Sequence, residues 1–236
     1  WHDVRFGKPV KHIEDVINIC RMVIKESHLN PIKYEGSEKS ISLVGFDRPF
    51  TPKEASIPIY MGSVGPFMTR KCGEIADGWI SHELCSPQYL KSNIIPKLQE
   101  GASDKKIPKI VVSGLTVVDE DEKKAKRIAA GTVAFYASVK TYDEFFSTHG
   151  FGQEASRIRE LFKNNDIKGM IENVPDEMVD VFAIAGNKEF VTESIKRYEN
   201  IVDEIKLTPP THFVTEEETR FAQKSILSIV NEGGIN

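Results

Sequence analysis

The sequence predicts an α/β fold built from parallel β/α units, on three observations. Short apolar runs alternate with helical patterns along the chain, the order that a parallel sheet with helical crossovers requires. One run, Ile110 to Val118, is apolar almost throughout, as expected of a strand covered on both faces. Only four good strands can be read, at Ile57, Trp79, Ile110 and Ile205, which make a sheet and not a closed barrel of eight. A whole (β/α)8 barrel takes about 250 residues. The chain has 236 but spends many of them on a helical excursion from Asp119 to Asn187.

Each element has its own signal. Pro9 to Glu26 reads as a helix, with Ile13, Val16, Ile17, Cys20, Val23 and Ile24 on one face. Ser27 to Pro31 carries turn chemistry, Ile41 to Val44 is a candidate short strand, and Asp47 to Pro52 reads as a loop. Ile57 to Met61 is a short apolar run bounded by Ser56 and Gly62, the pattern of a buried strand. Gly62 to Gly65 is a loop, Pro66 opens a helix that ends at Asp77-Gly78, and Trp79 to Ser81 is the next strand. Pro87 to Gly101 is a helix that Pro96 kinks. Asp119 to Ala137 opens with acids that suit the helix dipole. Broken helix follows from Tyr142 to Ile171, and a short helix runs from Asp176 to Ala185, ending near Gly186. Asn187 caps a helix to about Asn200, Ile205 to Leu207 is the last strand, and Thr215 with Glu218 forms a capping box for a terminal helix to Val230.

Composition limits the function. A net charge of −4 and a pI near 5.9 argue against nucleic acid or an anionic membrane as the main partner. No apolar run approaches the roughly 20 residues needed to span a bilayer, and no secretory pattern opens the chain. Cys20, Cys72 and Cys85 read as buried or half-buried reduced thiols, which fits a cytoplasmic protein. The histidines form no metal pattern with one another or with the cysteines. The chain opens on Trp1 where a natural start would have Met, which points to a truncated beginning.

The chemistry concentrates in Ile57 to Ser81. A strand, a glycine loop and a helix N-terminus can hold a phosphate, because first-turn amides lack intrahelical partners and the helix dipole favours an anion. Gly62 and Gly65 would let a ligand approach the backbone, and Ser63 adds a hydroxyl. Pro66 supplies no N–H, so Ser63, Val64, Gly65 and the residues after Pro66 would donate. The pattern is neither a Walker loop nor GxGxxG, and from the local pattern alone a plain tight βα turn is the commoner explanation of it.

Ile57-Pro58-Ile59-Tyr60-Met61-Gly62-Ser63-Val64-Gly65-Pro66, with Gly73-Glu74-Ile75-Ala76-Asp77-Gly78, resembles the luciferase-like monooxygenase family. It is most similar to the branch that uses the deazaflavin coenzyme F420, such as methylenetetrahydromethanopterin reductase. Gly7 to Val10, Tyr34 to Gly36 and Val179 to Gly186 extend the likeness over most of the chain. The resemblance implies a luciferase-like (β/α)8 TIM barrel, present here as its C-terminal half, about strands five to eight. Residues 1–236 would then be one partial barrel domain with a helical insertion at about 119–187. It also implies Gly62, Ser63, Val64 and Gly65 as the cofactor-phosphate loop, for F420 in preference to FMN. Barrel logic puts His82 and Glu83, just past a strand, on the catalytic face, with His82 beside the cofactor and Ser113 and Thr116 pointing inward. The family's acid or histidine near the flavin ring comes from early strands that cannot be found in this chain, so no catalytic residue is assigned. Thr208 to His212 lies where barrels often bind phosphate, but Pro209 and Pro210 stand where relatives have glycine and give no donors.

Two functions follow. The first is a flavin- or deazaflavin-dependent oxidoreductase that passes hydride between F420 or FMN and a small organic substrate. The alternative is an incomplete barrel that binds a ligand or partner without catalysis. Either would expose a sheet edge, and a homo-oligomer would cover it.

Overall fold

A computed structural model describes residues 7–29, 31–46, 48–51 and 57–231. The expected strand boundary at Ser56 and the loop positions Asp47 and Pro52 lie outside them. The chain forms two compact units, Trp1–Ile80 with Asn93–Ile110, and Ser81–Ser92 with Val111–Asn236.

The first unit begins with α1 (Pro9–Glu26), where Pro9 sits in the first turn and so costs no helical bond. The polar stretch after it holds two strands where one was expected. β1 (Ile32–Glu35) and β2 (Ser40–Leu43) pair as an antiparallel hairpin, Glu35 opposite Ser40. Asp15 of α1, itself buried, fastens its turn. Its carboxylate accepts the Glu38 and Lys39 amides at 2.7 and 2.9 Å and the Tyr34 hydroxyl at 3.0 Å. Those two amides, Glu38 first, hold the Asp15 carboxyl below its usual range. Cys20 is exposed, against expectation, because it falls on the outer side of α1, whereas Cys72 and Cys85 are buried.

The strand expected at Ile57 starts later. β3 is Tyr60–Gly62, and Ile57 is 59% exposed. β3 has a parallel partner only where β4 (Gly78–Ile80) runs beside it, Tyr60 opposite Gly78 and Gly62 opposite Ile80, so the residues before Tyr60 have no ladder to join. Between them lies α2 (Pro66–Ile75). The single helix expected after β4 is three pieces: α3 (Pro87–Tyr89), a π-helical turn at Leu90–Ile94, and α4 (Ile95–Ala102). Pro96 accounts for the widening, since it has no N–H to give and its ring crowds the turn before it.

In the second unit β5 (Lys109–Val118) is buried from Ile110 onward, as its composition predicts. It pairs in parallel with β7 (Glu204–Thr208) through Val111 to Leu115, and with β6 (Ile184–Gly186) through Thr116 to Val118. β6 corrects the expectation of helix through Ala185. α9 (Asp176–Phe182) stops at Phe182, and Ile184 to Gly186 join β5 instead. The excursion after β5 comprises α5 (Glu122–Ser138), α6 (Asp143–Thr148), α7 (Gly152–Lys163) and α8 (Ile167–Glu172). α10 (Lys188–Lys196) is capped by Asn187, whose side chain accepts the Phe190 amide at 2.9 Å. α11 (Glu216–Asn231) starts with the expected capping box: the Glu218 carboxylate accepts the Thr215 amide, and the Thr215 hydroxyl accepts the Glu218 amide. No described helix is long and apolar enough to cross a membrane.

Candidate functional site

The loop after β3 is held from below. Trp79 of β4 is almost fully buried, and its indole N–H donates to the Ser63 hydroxyl at 2.9 Å and carbonyl at 3.1 Å. The Ser63 hydroxyl also bonds Thr69 in α2 at 3.0 Å. Ser63 is therefore an anchor, buried to 7% exposure, and its hydroxyl is committed within the protein. That leaves the backbone as the donor surface of this loop. The first intrahelical bond of α2 runs from the Thr69 amide to the Gly65 carbonyl, so the Phe67 and Met68 amides precede it.

Gly62 and Gly65 stand apart from the other glycines here. Gly65 has φ −78°, a conformation open to any residue, and a Cβ placed on it would meet nothing within 4 Å. At Gly62 the nearest atom to such a Cβ is the Ile80 carbonyl oxygen at 3.9 Å, an ordinary contact. Neither backbone conformation nor internal packing asks for glycine at these two positions. Two such glycines ahead of the free amides of a helix N-terminus leave room for an anionic group such as a cofactor phosphate.

The glycines at the far end of α2 are different. A Cβ on Gly73 would run into the Leu98 backbone of α4, and one on Gly101 into the Arg70 carbonyl. Asp77 closes that end. Its carboxylate accepts the Ile59 amide at 2.8 Å and pairs with Arg21 at 3.1 Å, while its own amide donates to the Ile59 carbonyl. Much of the Gly-Glu-Ile-Ala-Asp-Gly motif is thus a packing and turn device.

In the second unit, residues 81 to 84 run along β5. The Ser81 amide donates to Val111, the Ser113 amide to the Ser81 hydroxyl at 2.8 Å, and the Leu115 amide to the Glu83 carbonyl at 3.0 Å. The backbone of His82 and Glu83 is thereby fixed. The His82 ring stacks on Tyr136 (5.5 Å between centroids) and meets Tyr142 and Phe145 edge-on at 5.0 and 5.3 Å. Its Nδ1 accepts the Leu84 amide at 3.2 Å, which places the ring proton on Nε2. Enclosure by those rings pushes its pKa down to about 4, so the imidazole is neutral near pH 7. Burial raises the Glu83 carboxyl, with Lys206 opposing, and its Oε2 is enclosed with no hydrogen-bond partner among the described residues. Burial and then the Glu83 charge raise both Tyr136, to about 12, and Tyr142.

Ser113 and Thr116 cannot both face one interior. They are three residues apart on a continuous strand, so the pleat sends them to opposite faces. The Thr116 hydroxyl is spent on the Gly114 carbonyl of its own strand at 2.9 Å.

One constellation had no sequence signal. The Ser86 hydroxyl lies 2.7 Å from Nε2 of His149, whose Nδ1 is 2.8 Å from the Phe145 carbonyl. The spacing suits a nucleophile and base. Ser86, however, is 3% exposed and caps α3 by accepting the Tyr89 amide, so the pair is a buried structural bond. Among the described residues no group of three or more potential metal ligands occurs.

Comparison with known proteins adds the family. The family described as luciferase-like monooxygenase matches residues 1–204. The 5,10-methylenetetrahydromethanopterin reductase of Archaeoglobus fulgidus is 28% identical over 201 residues, which are 81% of this chain and 58% of that protein. The structure of the coenzyme F420 dependent tetrahydromethanopterin reductase from Methanopyrus kandleri superposes with a TM-score of 0.74 at 23% identity, over 97% of this chain and 66% of the other. The oxygenating constituent of 3,6-diketocamphane monooxygenase from Pseudomonas putida, in complex with FMN, shares the fold at a TM-score of 0.55 and 17% identity, over 97% of this chain and 64% of the other. The chain spans 49% of the length of other curated relatives it matches.

Proposed function

Because the chain belongs to the luciferase-like monooxygenase family, we propose that it is part of an oxidoreductase that binds coenzyme F420, or alternatively FMN, and passes hydride to or from a small organic substrate. The observation that carries this reading is the pair Gly62 and Gly65, which nothing inside the protein requires to be glycine. The backbone of Gly62, Ser63, Val64 and Gly65, with the first-turn amides of α2, would hold the cofactor's phosphate, while Trp79 and Thr69 keep the loop in shape through Ser63. His82, neutral and with its proton on Nε2, would give one hydrogen bond to the bound cofactor or substrate. When bound, the cofactor supplies the hydride chemistry, and the protein supplies position and electrostatics.

F420 is favoured because relatives of the reductase type resemble the chain in sequence, whereas the FMN-bound relative resembles it in fold alone. The same reading takes residues 1–236 as one partial barrel domain, about the last four β/α units, with an insertion at about 119–187. It is cytoplasmic and self-associates. Val44, Phe46, Phe50 and Ile57, all exposed, support an interface in the first unit.

The test is an absorbance titration of the intact protein with each cofactor. Saturable binding of F420, at least about tenfold tighter than FMN, is the expected result. Absence of binding to either one, in the intact protein, would overturn the reading.

A further inference from the structure

We infer that Glu83, in the neighbourhood of Tyr136 and Tyr142, is a ligand-facing, proton-exchanging carboxyl that meets a carbonyl oxygen or imine nitrogen on the molecule being reduced. The inference rests on the proposed oxidoreductase function and deepens it by naming the substrate-side group.

Four observations carry it. The first is fixity: the Glu83 carbonyl accepts the Leu115 amide of β5 at 3.0 Å. The side chain therefore leaves an immobile stretch of backbone. Next is the unfilled oxygen. Oε2 is enclosed and has no hydrogen-bond partner among the described residues, so negative charge on it goes unpaired and the protonated carboxyl is favoured. Third, His82, Glu83, Tyr136 and Tyr142 are all half-buried, next to a β5 that is buried from Ile110 onward. Each of the four therefore keeps part of its surface accessible. Last is chemical type. Tyr136 and Tyr142 stand 5.0 Å apart between ring centroids, at 73°, and offer an apolar wall that suits a planar unsaturated group.

The charged and titratable groups facing Glu83 are few. Lys206 of β7 favours the carboxylate, while burial works against it and prevails, so the carboxyl holds its proton to a higher pH than an ordinary glutamate. Tyr136 and Tyr142 stay protonated near pH 7, their ionisation opposed by burial and by Glu83, and His82 is neutral there. Glu83 is the one carboxyl in this set, and burial extends the pH range over which it carries a proton to exchange.

The step balances simply. As the ligand's carbon is reduced by hydride, its oxygen or nitrogen takes the Glu83 proton. The carboxyl O–H bond breaks, a new O–H or N–H bond forms, and the electron pair stays on Glu83 as carboxylate. Solvent then restores the proton. In the oxidative direction the carboxylate takes the proton instead.

The experiment uses dicyclohexylcarbodiimide, an apolar reagent that attacks protonated carboxyls, with peptide mass spectrometry of the protein labelled from about pH 5 to about pH 9. Glu83 is expected to be the most heavily labelled carboxyl at neutral pH. Its labelling should fall about tenfold per pH unit above a midpoint that lies higher than the ordinary glutamate value near 4.3. Tyrosine absorbance should shift at that same midpoint, and Glu83→Gln should remove both signals while the far-ultraviolet spectrum is unchanged. Glu83→Asp should restore labelling at least in part. Labelling no greater than that of exposed glutamates, an ordinary midpoint, or a tyrosine shift that survives in Glu83→Gln would overturn the inference. Cofactor titration is read separately: loss of cofactor binding with Glu83 labelled as described sinks the proposed function and leaves the carboxyl site standing.

Discussion

The two ends of α2 use the same residue for unrelated reasons. At the N-terminal end a Cβ on Gly62 would make only an ordinary contact with Ile80, and among the described residues nothing comes within 4 Å of one on Gly65. At the C-terminal end Gly73 lies against the Leu98 backbone, with Gly101 of α4 against Arg70. One pair of glycines lets another helix in, and the other has room that the described residues do not fill. A glycine-rich signature read from sequence alone cannot separate these, because both give the same letters. Their distance to neighbouring backbone does separate them.

The largest test of that contrast is Gly73→Ala. The new methyl must displace α4 or bend α2, and overpacking of this kind costs about 2–3 kcal/mol. Equilibrium denaturation should show a midpoint shift at unchanged slope. Gly65→Ala, by contrast, should change stability by less than about 1 kcal/mol, because the folded chain gains no clash and the freedom lost from the unfolded chain opposes alanine's poorer fit as an N-cap. If the two alanine variants were equally destabilised, the division of α2 into a packed end and an open end would fail.

Asp77→Ala gives a smaller effect at the packed end. It removes the carboxylate that accepts the Ile59 amide and pairs with Arg21. The side chains of that pair are 42% and 44% exposed, so the ion pair itself contributes little, and most of the loss comes from the hydrogen bond. A loss of about 1 kcal/mol is expected. Asp77→Asn, which keeps an acceptor for Ile59, should lose less. Both are read from the same denaturation experiment, and cofactor affinity should follow neither.

Much of this was legible in the sequence. The strands at Trp79, Ile110 and Ile205 exist, the one expected from Ile57 begins at Tyr60, and the Asn187 cap and the Thr215–Glu218 box were readable because they are local hydrogen-bond devices with fixed spacing. What escaped depends on distant partners. Ile184 to Gly186 looks like a helix end until β5 offers Thr116 to Val118 to pair with. The β1–β2 hairpin has weak strand composition and is tied down by Asp15, some twenty residues earlier in the chain. At the candidate site, the glycines were visible but not their reason, and Ser63 was visible with the wrong one. Its hydroxyl reads as a donor for a ligand, but Trp79 and Thr69 use it. Glu83 was visible only as a position past a strand. Its enclosed oxygen and its interaction with Tyr136 and Tyr142 depend on residues that lie about fifty or more positions away and have no spacing relation to it.

The sharpest form of the comparison is Gly65→Asp, although its effect on stability is the smallest. Gly65 is the N-cap of α2, with φ −78° and ψ 154°, and makes no side-chain capping bond. Aspartate suits that conformation, can accept a first-turn amide, and puts a negative charge at the positive end of the helix dipole. The variant should therefore be more stable than the natural protein by about 0.5 kcal/mol. The same carboxylate would sit where the cofactor phosphate is proposed to bind and would occupy the same amides. Affinity for F420 should drop by at least about a hundredfold, or about 2.7 kcal/mol. Stability and binding then move in opposite directions through one side chain, which a plain tight turn would not produce. A Gly65→Asp protein that is stabilised and still binds cofactor at full strength would show that the open glycines serve no phosphate. One that is destabilised would show that the space around Gly65 is not open at all.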